Sequence, residues 1–116
     1  MAKDMVVMQK AKDLNDYTFT MTKSKERYPK NWSFVLTNRI QNLSLDICSK
    51  LRQTNELLPK DRLEKLSEIL GDLEVMFFLI EFSLKENRID ERQAEIWTEK
   101  TEIIKKMTAA WKNKYM

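Results

Sequence analysis

The 116-residue chain holds one glycine, two prolines and one cysteine, too few turn residues for a β-rich fold and too few thiols for an internal disulfide. Its 21 basic and 18 acidic side chains leave a net charge of +3, and long runs rich in Lys, Glu, Leu, Met and Ile point to one all-α domain over residues 1–116. Histidine is absent, which excludes Ser-His-Asp and Cys-His catalysis and the Glu-x-x-His metal pattern of helical bundles.

The first helix is expected over 4–27. Val7, Ala11, Leu14, Thr18, Met21 and Tyr28 recur at steps of four and three, with Lys25 in the remaining place; this is the seam of a bundle helix. Pro29 ends it, because the residue before a proline is pushed out of the α region. A second helix over 31–56 carries the seam Trp32, Leu36, Ile40, Leu43, Ile47 and Leu51. Beside that seam Arg39, Asn42 and Asp46 form a polar row, suited to bonds across an interface or to solvent.

Pro59 closes the next connection and opens a third helix over 60–86, with the heptad Leu63, Leu66, Leu70, Leu73, Phe77, Ile80 and Leu84. Ile69, Met76, Phe78, Leu79 and Phe82 make its middle apolar on nearly every side, although a bundle helix needs only one buried stripe. The excess predicts contact with another copy of the chain through Met76, Phe78, Leu79 and Phe82. Gly71 reads as a close-packing point between helices and Cys48 as a small interior side chain. Glu64, Glu68, Asp72, Glu74 and Glu81 read as a solvated acidic face rather than a metal box.

The fourth helix is expected over 91–114. Asp90 with Gln93 three residues on reads as a capping box, and the seam is Trp97, Thr101, Ile104, Thr108, Trp111 and Tyr115. Short connections predict sequential packing in an antiparallel up-down-up-down four-helix bundle. Charges interrupt residues 1–14, so they lack the apolar core of a signal peptide. The longest apolar run, residues 75–80, falls far short of the roughly 20 residues that span a bilayer. A cytoplasmic protein with no membrane partner is expected.

Charge is polarised along the chain. Residues 1–30 carry +3, 31–55 carry +2, 56–99 carry −6 and 100–116 carry +4. Antiparallel packing brings Lys3, Lys10, Lys12, Lys50, Arg52, Lys60, Arg62, Lys105, Lys106, Lys112 and Lys114 towards one pole. Lys3 and Lys10, like Lys105 and Lys112, sit seven apart on one helix face. Lys3, Lys10, Lys12, Lys105, Lys106, Lys112 and Lys114 are the candidate contacts for nucleic acid or a partner. Converging cations displace counterions from phosphates and give salt-sensitive, sequence-tolerant binding. The bland alternative is a solubilising surface. No residue pattern calls for a cofactor, a metal or an enzyme.

Tyr28-Pro29-Lys30, Phe34-Val35-Leu36, Arg39-Ile40-Gln41-Asn42 and Leu45-Asp46-Ile47 together resemble the second-helix region of the accessory variability determinant (Avd) proteins of diversity-generating retroelements. These are small four-helix bundles in a wider family that includes the ribosomal-RNA intervening-sequence proteins. The resemblance is sharpest over residues 28–47 and covers the rest of the chain in helix order and length. It implies a homopentamer with a basic surface and no catalytic residues. The implied role is non-enzymatic: binding the retroelement's reverse transcriptase and its template RNA, or DNA, in support of mutagenic reverse transcription. An intervening-sequence-type bundle or a structural adaptor, neither with a reverse transcriptase partner, is the alternative.

Overall fold

A computed structural model of the chain describes the backbone of residues 2–116 and the side chains of residues 6–116. Four long helices dominate: α1 (Ala2–Thr22), α2 (Asn38–Glu56), α3 (Pro59–Lys85) and α4 (Glu91–Asn113). Each packs on its neighbours in sequence, and α1 also meets α4, which closes a four-sided arrangement 44 Å long. The described residues contain no strand.

Side-chain bonds between helices fix the antiparallel sense. Going up α2, Gln41 donates to Thr22 (2.9 Å), Ser44 to Asn15 (2.9 Å) and Cys48 to the Ala11 carbonyl (3.3 Å), so α1 is met in reverse order. Lys50 reaches Asp72 of α3 at 2.8 Å, and Lys105 of α4 reaches Glu74 of α3 at 3.1 Å. Trp97 of α4 donates to Thr18 of α1 at 3.0 Å, and Tyr17 meets the Trp97 ring edge-on with centroids 6.1 Å apart.

The α1 seam falls where its spacing predicts, with Val7, Ala11, Leu14, Thr18, Met21 and Tyr28 buried and Lys25 exposed. The helix itself stops five residues short of its expected end. Thr18, Thr20 and Thr22 each donate a hydroxyl to the carbonyl four residues back, at 2.7–2.8 Å; β-branched residues with such back-bonding weaken a helix end. A looser turn follows, in which the Tyr28 amide donates to the Ser24 carbonyl at 2.8 Å.

α2 also begins differently from expectation. Residues 30–32 form a 3-10 turn after Pro29, and Ser33–Thr37 form a π-helical turn closed by the Asn38 amide on the Ser33 carbonyl. The wider turn keeps Leu36 and Thr37 in the core and leaves Phe34 and Val35 in solvent. Beyond it, Ile40, Ser44, Ile47, Leu51 and Thr54 are buried. Leu43 is only half-buried, and the small Ser44 takes the place facing α1.

The buried stripe of α3 is Leu66, Ile69, Leu73, Met76, Leu79, Ile80 and Ser83. It shares Leu66, Leu73 and Ile80 with the expected heptad, while Leu63, Leu70, Phe77 and Leu84 lie half-exposed at its edge. Gly71 is exposed, and a Cβ built there meets nothing within 4 Å, so it is not a close-packing point. Asn87 ends α3 in the left-handed region at φ 59°, which asparagine tolerates better than most residues. α4 opens with the expected capping box: the Gln93 amide donates to Asp90 Oδ1 (2.8 Å), and the Asp90 amide donates to Gln93 Oε1 (3.0 Å).

Candidate binding surfaces

Two arginines that look like surface charges in the sequence act as braces at opposite ends. Arg62 donates to the Leu57 carbonyl (2.9 Å), the Asn55 carbonyl (3.2 Å) and the Tyr115 hydroxyl (2.8 Å), tying the α2–α3 connection to the end of α4. Trp111 donates to the same hydroxyl at 3.3 Å. Burial works against ionisation of Tyr115, but the Arg62 and Trp111 hydrogen bonds and the nearby Arg62 and Lys114 charges bring its pKa below the usual phenol value. At the far end Arg88 donates to the Arg27 carbonyl at 3.1 Å and lies 5.4 Å from the Trp32 ring centroid. Bonded in this way, Arg62 is a structural residue.

The acidic helix takes up two more cations. Lys50 bonds Asp72 and lies 3.7 Å from Glu68; its pKa is raised chiefly by the Asp72 hydrogen bond. Lys105 pairs with Glu74 and sits 5.6 Å from the Phe77 ring centroid. Of the candidate contacts, Lys105 is therefore already engaged within the bundle. The side chain of Lys3 lies outside the described residues, and Lys10 is half-buried.

Lys12, Lys106 and Lys114 are exposed and Lys112 is half-exposed; none makes an ion pair among the described residues. They do not form one patch. At about 100° per residue on a helix, Lys112 follows Lys105 on the edge facing α3, Lys106 points away from the core and Lys114 lies on the edge facing α1. After Glu102 the remainder of α4 carries Lys105, Lys106 and Lys112, with Lys114 just past its end, and no carboxylate side chain.

Lys12 belongs to a different feature, a groove of about 250 Å³ between α1 and α2 lined by Met8, Ala11, Lys12, Leu45, Cys48, Ser49 and Arg52. Ala11 and Cys48 let the helices approach, as the 3.3 Å thiol-to-carbonyl contact shows. Met8 and Leu45 wall the groove, with Lys12 and Arg52 at its rim. Burial pushes the Cys48 thiol pKa up, Asp16 adds to the rise, and Lys12 and Arg52 oppose it. The sequence holds no sign of this groove, because its walls come from two helices far apart in the chain.

The four α3 residues expected at an interface with another copy divide. Met76 and Leu79 face the core at 0% and 7% exposure, because the buried stripe is centred closer to them than the heptad suggests. Phe78 is 61% exposed, and Phe82 is half-buried between the stacked Phe78 ring and the edge-on Trp32 ring. Gly71, Val75, Phe78 and Phe82, at steps of four, three and four, make a second seam on the outer side of α3. Arg39, Asn42 and Asp46 are exposed on α2 and make no side-chain hydrogen bond among the described residues.

The buried end near the π turn holds a polar mismatch. The hydroxyls of Tyr28, Thr37 and Ser83 are enclosed without a hydrogen-bond partner. Burial pushes the Tyr28 phenol up to about 12; Ser83 lies close enough to temper that rise without completing a well-formed hydrogen bond. Among the described residues no group of three or more Cys, Asp or Glu could hold a metal ion, and no helix is long and apolar enough to cross a membrane. Comparison with protein-family models, with curated proteins and with solved structures gives no match to this chain in any of the three.

Proposed function

We propose that the chain is a non-enzymatic accessory protein of the Avd kind, which binds a reverse transcriptase and its template RNA and works as a homo-oligomer. The observation that carries the nucleic-acid part is the second half of α4. Lys106, Lys112 and Lys114 are free of ion pairs among the described residues, and no carboxylate side chain follows Glu102. Cations spread around one helix end in this way favour binding of a polyanion by releasing its counterions, without reading base sequence. The sequence resemblance over residues 28–47 supplies the partner class. The exposed α3 seam favours assembly, since Phe78 and Val75 leave apolar surface in water.

The test is RNA binding by the purified protein, followed by fluorescence anisotropy across a salt series, beside the variant K106E/K112E/K114E. With about 0.7 counterions released per neutralised phosphate on a single strand, losing three contacts flattens the log–log salt slope by roughly 2 and weakens binding at every salt. Equal binding by variant and wild type would defeat the nucleic-acid part and favour an adaptor that works through protein contacts alone.

A further inference from the structure

The groove between α1 and α2 and the outer seam of α3 match each other in three respects. The first is shape: the groove is concave, and Phe78 is a projecting ring at 61% exposure. The second is length: Leu45 to Arg52 and Val75 to Phe82 each cover seven residue steps, roughly 10 Å at 1.5 Å per residue. The third is charge. Lys12 and Arg52 rim the groove and Glu74 and Glu81 flank Phe78; of these four, only Glu74 is ion-paired among the described residues. Asp16 and Asp46 lie on the α1 and α2 surfaces, and at the Cys48 thiol the charges of Lys12 and Arg52 oppose that of Asp16.

We infer that the α1–α2 groove receives the outer seam of α3 from a second copy of this chain, with Phe78 between Met8 and Leu45 over Cys48 and Glu81 at the Lys12–Arg52 rim. The seam presents apolar anchors at i, i+3 and i+7 (Val75, Phe78, Phe82), the spacing with which a helix enters an apolar groove. Groove and seam are different surfaces of one protomer, one on α1 and α2 and the other on the outer side of α3. The contact is therefore head-to-tail, and each copy offers both halves. Such contacts build closed rings or open filaments rather than two-fold dimers. This rests on the homo-oligomer part of the proposal above and assigns its two faces. It also moves Lys12 from nucleic-acid contact to assembly.

The full chain tests it by sedimentation equilibrium. Wild type is expected above dimer mass, F78D at monomer mass with an unchanged helical spectrum, and both K12E/R52E and E81R with association weakened at least tenfold. The triple variant K12E/R52E/E81R restores opposite charge across the contact and is expected to recover assembly, which a merely misfolded protein would not do. Alkylation of Cys48, the sole cysteine, should slow as wild-type protein is concentrated and stay fast in F78D. A monomeric wild type, unchanged mass in F78D or no recovery in the triple variant would overturn the inference. Cys48 protection that depends on added RNA instead of protein concentration would do the same, assigning the groove to nucleic acid. Loss of RNA binding with mass unchanged bears only on the role of α4.

Discussion

The indole Nε1 of Trp97 donates to Thr18 Oγ1 at 3.0 Å, while the Thr18 hydroxyl donates to the Leu14 carbonyl at 2.7 Å. Both side chains are fully buried. This relay joins α1 to α4 across 79 positions of sequence and closes the bundle. It also explains why a threonine occupies a core position: among the described residues its oxygen is the sole acceptor of the indole N–H.

Thr18→Ala removes that acceptor and leaves the Trp97 N–H buried without a partner. An unpaired buried donor costs about 1–3 kcal/mol, so urea unfolding should show a loss of that size. Thr18→Ser, which keeps the oxygen, should lose less.

Tyr28→Phe should behave in the opposite way. The Tyr28 hydroxyl is enclosed without a partner, so its removal should leave stability at pH 7 unchanged or raised. The phenol pKa is pushed up to about 12 in the folded protein from its ordinary value of 10.0. Folding is therefore linked to the protonated form: this contribution is complete below pH 10.0 and is lost as pH rises through about 12. Stability curves across that window should fall less steeply for Tyr28→Phe than for wild type.

Gly71→Ala should stabilise the protomer. Gly71 lies inside α3, exposed, with open space where a Cβ would go. Alanine in place of glycine in a helix interior is worth about 0.5–1 kcal/mol, in part through the unfolded chain. Thermal unfolding in the F78D background excludes any contact between copies from the comparison.

Asp90→Ala should cost roughly 0.5–2 kcal/mol. It removes the acceptor for the Gln93 amide at the start of α4 and half of a reciprocal cap. Amide exchange should accelerate over residues 91–94 before it does in the middle of the helix.

The seams of α1 and α4 are legible from sequence because their apolar and threonine positions recur at steps of four and three; on α2 the same spacing places Leu43 in the seam, where the structure buries Ser44 instead. On α3 the apolar residues Leu70 and Phe77 compete with Ile69 and Met76, and periodicity alone cannot choose which set turns inward; the structure buries the second. The π turn at Ser33–Thr37 and the early end of α1 at Thr22 depend on local bonding that spacing does not encode. Charge is legible only as a count. Lys12 and Lys105 look alike in the sequence, yet one rims a groove and the other is held by Glu74 over the Phe77 ring. Likewise Arg62 reads as a surface cation until its three acceptors are seen.

The most direct measurement of the proposed role is mild affinity purification of the protein from its source cells, with co-purifying proteins and nucleic acid identified at low and raised salt. The account predicts recovery of a reverse transcriptase together with a structured RNA, the RNA diminishing as salt rises and in the K106E/K112E/K114E variant. A preparation holding neither the enzyme nor RNA at low salt would contradict it.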